Sequence, residues 1–200
     1  DHERFHGERG PNSMAVMSES VEDLENVLNQ YGVPDGFTAE IIDGRIVLSP
    51  QRLEHNHISR MIVRAYVERY GWGRPMMEDV RVNFPGKEVG YAPDVAFPRE
   101  GAKLADNDKF DAGDLDFVAE VVSPDSRKSD YGRKSDAYAA EGIPAYLIVD
   151  DATGWCELRQ APREGQYTQS RRYKFGEHIA IEAGETSFVV DTATFSLGDS

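Results

Sequence analysis

The stretch DFVAEVVSPDSRKSDYGRKSDAYAAEGIPAYLIVDD, residues 116–151, decides the fold. It opens on an apolar strand, LDFVAEVVS when Leu115 is included, that carries one acid, Glu120, among Phe117, Val118, Ala119, Val121 and Val122. A near-continuous apolar run of this length reads as a strand covered on both faces. A polar helix with several basic residues follows and is closed by Gly142, which suits a helix C-terminus. A second apolar run, IPAYLIVDD, then ends in Asp150 and Asp151 and reads as the next central strand. Placing Glu120 inside the first strand is unfavourable by several kcal/mol unless the charge is paired or bound to a cation.

Outward from this unit the chain alternates between helical and extended patterns. SESVEDLENVLNQYGVPDG predicts a helix capped by Ser18 or Ser20, with acids in its first turn and a stop at Gly32 and Pro34. TAEIIDGRIVLSP is two short apolar runs around Asp43-Gly44, a hairpin signal. RLEHNHISRMIVRAYVERYGWG places Ile58, Met61, Ile62, Ala65 and Tyr66 at helical spacing and stops at Gly71. MMEDVRVNF alternates as a half-buried strand does, VGYAPDVAFP reads as a strand interrupted by Pro93, and residues 100–114 read as a polar loop. After the central unit, GWCELRQA and YTQSRRYKF form a strand pair joined by a Pro-Arg-Glu-Gly turn, and HIAIEAGETSFVVDT gives short closing strands. The order of elements predicts an α/β (α+β) domain with a mixed sheet.

Two hundred residues suffice for one domain with a real core, expected over residues 18–200. Residues 1–17 are polar, lack the apolar segment of a signal peptide, and read as an unstructured or expression-derived leader. No apolar run is long enough to span a membrane. A single cysteine, Cys156, excludes an internal disulfide framework and fits a reducing, cytoplasmic location. The net charge of −14 speaks at first against nucleic acid. Residues 1–30 and 176–200 each carry −5, however, so the middle of the chain is only −4. Residues 52–74 and 159–174 are locally basic, and read as solvated faces or as the lining of a groove.

Several chemistries are excluded by pattern. There is no GxGxxG or GxxxxGK[ST] phosphate cradle and no GxSxG elbow. His55 and His57 cannot share one helix face, which argues against a zinc pair. The acids carry more. Asp94, in APDVAF, and Glu120, in VAEVVS, fall on neighbouring predicted strands, where two carboxylates can face each other and hold a hard cation. Mg²⁺ (or Mn²⁺) there would neutralise Glu120 and serve phosphoryl chemistry. Lys134 lies on the helix leaving the Glu120 strand and suits the task of orienting water and balancing charge; Tyr138 lies one turn further on the same face. Each acid taken alone reads better as a capped strand end beside a surface helix; the set together does not.

The ordered set Pro93-Asp94, Glu120-Val121-Val122-Ser123-Pro124, Lys134, Tyr138 and Gly142-Ile143-Pro144-Ala145-Tyr146 running to Val149-Asp150 resembles the Uma-two family of restriction-endonuclease-like proteins, within the PD-(D/E)XK nuclease superfamily. The likeness spans roughly residues 36–190. It implies a restriction-endonuclease-like fold with a central mixed sheet flanked by helices, and a Mg²⁺- or Mn²⁺-dependent endonuclease acting on DNA. It implies Asp94, Glu120 and Lys134 as catalytic, with Asp94, Glu120, the main-chain carbonyl of Val121 and Glu40 at the metal. Tyr138 and His55 would sit behind them or face substrate. From the residues alone, Glu40 is equally a solvent-facing hairpin position. The superfamily's lysine stands two residues after the second acid, where this chain has Val122; Lys134 is its expected replacement and Lys128 the second choice. A homodimer, a protein partner, and a non-catalytic interaction or regulatory role on the same fold are the remaining expectations.

Overall fold

The structure, a computed structural model, describes residues 20–196. The leader expected over residues 1–17 lies outside the described residues. Helix α1, Val21–Tyr31, starts at Ser20, whose side chain accepts from the Asp23 N–H while Asp23 reaches back to the Ser20 N–H. It ends at Gly32. Strands β1, Phe37–Ile42, and β2, Arg45–Pro50, form a separate two-stranded hairpin. Its turn residues Asp43 and Gly44 sit at φ 51° and 68°, the left-handed pair a two-residue turn requires. Helix α2, Leu53–Tyr70, stops at Gly71.

The main sheet has five strands: β3 (Val95–Pro98), β4 (Leu115–Val121), β5 (Ala145–Asp150), β6 (Trp155–Arg163) and β7 (Gln166–Lys174), in that spatial order. Only β4 and β5 run parallel; the other neighbours are antiparallel. The sheet is thus mixed, with the two apolar strands of residues 116–151 side by side in its interior. Helix α3 connects them, as Arg127–Ser129, a π-helical turn Asp130–Lys134, and Ser135–Ala140. The carbonyls loosened by the π turn are taken up from outside. Tyr146 Oη donates to the Asp130 carbonyl at 3.0 Å and Arg159 donates to the Tyr131 carbonyl at 2.9 Å. A closing hairpin, β8 (His178–Ala183) and β9 (Thr186–Asp191), completes the fold.

Two cores sandwich the sheet. On one face Ile58, Ile62 and Tyr66 of α2 and Ile179, Phe188 and Val190 of the closing hairpin pack on Phe117, Ala119, Leu147 and Val149. On the other face Tyr138 of α3 packs with Phe84, Tyr91, Val118, Tyr146 and Ile148. The small core of α1 and the β1–β2 hairpin, Leu24, Leu28, Ala39 and Ile41, is a third unit. It joins the rest through mutual main-chain bonds between Ile41 and Gly90, 2.8 and 3.0 Å.

Three expectations are corrected. MMEDVRVNF is not a strand. Asp79 adopts φ 54°, which breaks the extended run, and the segment pairs only at isolated points, Met77 with Ala96 and Asn83 with Asp111. Its alternation reflects Met77, Val82 and Phe84 dipping into the core from a loop. The strand expected from VGYAPDVAFP begins only at Val95, so Asp94 stands at its entrance. The turn between β6 and β7 is the two residues Glu164-Gly165, with Pro162 and Arg163 inside β6. Among the described residues no helix is long and apolar enough to cross a membrane.

Candidate active site

Antiparallel pairing of Val95 with Ala119 puts Asp94, one step before β3, level with Glu120 on β4. Glu120 points with Val118 and Val122 toward α3, the side from which Lys134 and Tyr138 descend. Opposite stands the β1–β2 hairpin, whose Thr38, Glu40 and Ile42 face a cleft of about 460 Å³. Asp94, Glu120, Val121 and Lys134 form part of the cleft lining, together with Asp79, His55 and the serines Ser123, Ser126 and Ser129.

Lys134 sits at the centre of the cluster with its side chain only 6% exposed. Its Nζ lies 2.9 Å from Glu40 Oε1, 3.1 Å from Glu120 Oε1 and 3.4 Å from Asp130 Oδ1. Tyr138 Oη donates to the same Glu120 Oε1 at 2.6 Å. Glu40 Oε1 also accepts the Ala92 N–H at 3.0 Å, and Asp94 Oδ2 accepts the Val121 N–H at 2.5 Å. Every one of these contacts uses one oxygen of its carboxylate. Among the described residues the second oxygens of Asp94, Glu120 and Glu40 take no hydrogen bond.

Burial sets the electrostatics. It raises Glu120 well above the usual carboxylate range; Lys134 opposes the rise, and Asp94, Asp130 and Glu40 add to it. Burial also opposes the charge of Lys134, but Glu120, Glu40, Asp130 and Asp94 outweigh it and hold the ammonium well above the ordinary lysine range. Lys134 is therefore always charged near neutrality. Asp94, partly open to the cleft, is pushed up to about 7 by desolvation, against the Val121 N–H and Lys134, which lower it. Burial and the nearby Glu120 carboxylate keep the Tyr138 phenol protonated, so it acts as a donor. Four carboxyl groups thus surround one ammonium, and the cluster would carry surplus negative charge only if all four were ionised.

The donor set suits a hard cation, being all oxygen. Among the described residues no three His, Cys, Asp or Glu side chains converge closely enough to enclose an ion. An ion here would have to be held by one or two carboxylates and completed by water and substrate oxygens, as Mg²⁺ commonly is.

The structure brings Asp94, Glu120, Lys134, Tyr138 and Glu40 together, and Glu40, which the sequence left open, faces Lys134 and not solvent. The amide of Val121 donates to Asp94 Oδ2. Lys128 is exposed. His55, in the first turn of α2, lines the cleft without joining the cluster; desolvation lowers its pKa, Arg52 lowers it further, and Asp151 and Glu54 oppose. His57 turns away, to the Thr194 carbonyl. Cys156 is buried, and desolvation pushes its thiol up to about 12, consistent with a packing role. Two acids escaped the sequence reading. Asp130 had a signal, standing four residues before Lys134 on one helix face. Asp79 had none, because its place depends on loop geometry. At the rim stand Arg45, Arg52 and Arg133, from three separate elements.

A family model described as "Uma2: Putative restriction endonuclease" matches residues 21–193. No curated protein gives a significant match. Among solved structures, a protein of Anabaena variabilis described as a putative nuclease belonging to DUF820 superposes with a TM-score of 0.65 at 13% identity, over 88% of this chain and 98% of that one. At that identity the likeness is one of fold.

Proposed function

The chain belongs to the Uma2 family of putative restriction endonucleases, and from that membership we propose that it is a metal-dependent endonuclease that hydrolyses phosphodiester bonds of DNA. Family and fold support a nuclease at the coarser level. The observation that carries the finer reading is the cluster itself: three carboxylates, each with an uncommitted oxygen, around one fixed ammonium on a cleft floor.

Asp94 and Glu120 would hold Mg²⁺ or Mn²⁺, with Glu40 assisting directly or through water. Such an ion, when bound, supplies polarisation of the phosphoryl oxygen and activation of water. The rest falls to the chain. Lys134 cannot accept a proton, so its part is to donate hydrogen bonds that orient the attacking water and offset charge gathering on the phosphate. Tyr138 holds Glu120 by donating to Oε1, which leaves the other oxygen uncommitted. Arg45, Arg52 and Arg133 at the rim suit a polyanionic strand. Arg133 is paired with exposed Asp43 at 2.7 Å, a surface contact weak enough for a phosphate to displace.

The test is calorimetric titration of Mn²⁺ into the wild type, Asp94→Asn and Glu120→Gln, alongside cleavage of plasmid DNA with Mg²⁺. Binding and cleavage lost in both variants, with the fold retained, supports the reading. Cleavage that persists in both variants rejects this site. The net charge of −14 favours a second reading, a non-catalytic interaction protein on the same fold. Wild-type chain that binds no Mn²⁺, with or without DNA, would select it.

A further inference from the structure

We infer that Asp79 is a positioning residue of this site: it clamps the open end of the β1–β2 hairpin to the chain entering at Asp94, and so fixes where Glu40 stands over the carboxylate floor. The inference rests on the nuclease reading for its consequence, though not for its geometry.

The hairpin that carries Glu40 is not part of the five-stranded sheet. Its position over the floor depends on a few ties. In the middle, Ile41 and Gly90 exchange main-chain bonds, and Glu40 accepts the Ala92 N–H and pairs with Lys134. At the turn, Asp43 meets Arg133. At the open end both strands converge on one carboxylate. Thr38 Oγ1, on β1, donates to Asp79 Oδ1 at 3.3 Å, and Gln51 Nε2, just past β2, donates to Asp79 Oδ2 at 3.0 Å. The Asp79 N–H donates to the Pro93 carbonyl at 3.2 Å, immediately before Asp94. One residue therefore ties both strands of the hairpin to the neighbour of a floor carboxylate.

The backbone of Asp79 supports this. At φ 54° it occupies the left-handed region, where glycine is easiest and aspartate and asparagine are tolerated better than other residues. Glycine there would relieve the backbone and lose both side-chain ties. The chain instead keeps a carboxylate that is half-buried and engaged at both oxygens. Because both oxygens are engaged, Asp79 differs from Asp94, Glu120 and Glu40, each of which keeps one oxygen uncommitted. That difference separates a clamp from a ligand.

The experiment compares Asp79→Ala, Asp79→Asn and the double variant Thr38→Val/Gln51→Ala on the full chain. Two readouts are taken: amide hydrogen exchange, and Mn²⁺ affinity by calorimetry. Asparagine keeps both ties if the Gln51 amide turns over, so the Asn variant should match wild type. The Ala and double variants should lose protection at the Ile41, Gly90 and Ala92 amides while those of β4 and β5 stay protected. Their Mn²⁺ affinity should fall by about 10- to 100-fold, the usual effect of removing a group that orients a metal ligand. Unchanged exchange at those three amides in the Ala variant overturns the clamp. Exchange lost with Mn²⁺ affinity unchanged overturns its role in the site. Affinity lost equally in the Asn variant makes Asp79 a ligand or a required charge, and also overturns it. If wild type binds no Mn²⁺, the metal reading fails on its own and the exchange pattern alone decides the clamp.

Discussion

Replacing Lys134 by methionine preserves the length of the side chain and removes only the ammonium. In the native protein that ammonium lies within 3.4 Å of Glu40, Glu120 and Asp130, and the last two are 3% and 1% exposed. Removing one partner of a buried ion pair costs about 3–5 kcal/mol, because the remaining charge is left without compensation. At pH 8 the variant should be destabilised by that amount. The carboxyls can escape by taking up protons. Glu120 already has a folded-state pKa above its unfolded value, through burial, and loss of Lys134 raises it further. A group raised in this way stabilises fully below its unfolded pKa and loses that contribution as pH rises through the folded one. The variant's deficit should therefore shrink toward acid, to about 1–3 kcal/mol at pH 5.5, the cost of neutral buried groups short of a partner. The contribution of Lys134 itself does not change over this range, since its own folded pKa lies well above 10.5. Urea unfolding at pH 5.5 and 8, with equal m-values as a check on the denatured state, measures the difference. A loss below about 1 kcal/mol at pH 8, or one equal at the two pH values, would refute a buried charge cluster held by Lys134.

Asp94 gives a second pH signature: with a folded pKa of about 7 against 3.8 unfolded, it makes metal-free stability fall as pH rises between those values, and Asp94→Asn should flatten that part of the profile in urea titrations. Its solvent-open side moderates the size of the effect. Since a ligand must be deprotonated to bind, Mn²⁺ uptake near pH 6 should release about one proton from Asp94 and a further contribution from Glu120, seen as calorimetric heats that vary with the ionisation enthalpy of the buffer, and the Asn variant should release less. At the rim, Arg45→Ala/Arg52→Ala/Arg133→Ala in a Glu120→Gln background should bind duplex DNA with a log K versus log salt slope shallower by about 2 to 3, the count expected when three phosphate contacts are lost. An unchanged slope in fluorescence anisotropy would remove those arginines from the DNA-binding face.

The parts of the fold that were legible in sequence are those governed by local rules. Ser20 and Asp23 declare the start of α1, Asp43-Gly44 declares the hairpin, and the apolar runs around Glu120 and Ile148 declare two interior strands. Each depends on residues within a few positions of one another. MMEDVRVNF misleads because its apolar residues do reach the core, but from a backbone turned aside at Asp79 and paired with Ala96, Tyr91 and Phe110 at scattered points. Periodicity reports which side chains are buried, not which backbone ladder carries them. The π turn at Asp130–Lys134 is equally silent in sequence, since it changes the helix by one wider loop.

The site shows the same division. An acid inside an apolar strand signals that Glu120 needs a positive partner, and a cation was the expected answer. The structure supplies one answer from within the chain, Lys134 at 3.1 Å, with Tyr138 at 2.6 Å on the same oxygen. Pairing alone would then account for Glu120 and leave no reason for a metal. What reopens the question is the sum over residues remote in sequence. Glu40 arrives from the hairpin, Asp94 from the entrance of β3 and Asp130 from the π turn, so one ammonium faces four carboxyls. No local pattern adds these charges together; only the register of β3 on β4 and the descent of α3 do so. Burial answers that excess by raising Asp94 and Glu120 toward protonation, which a divalent cation bound at their uncommitted oxygens would reverse. The excess of carboxyl groups with uncommitted oxygens over the single ammonium, and not the solitary acid, is therefore the feature on which the metal reading stands.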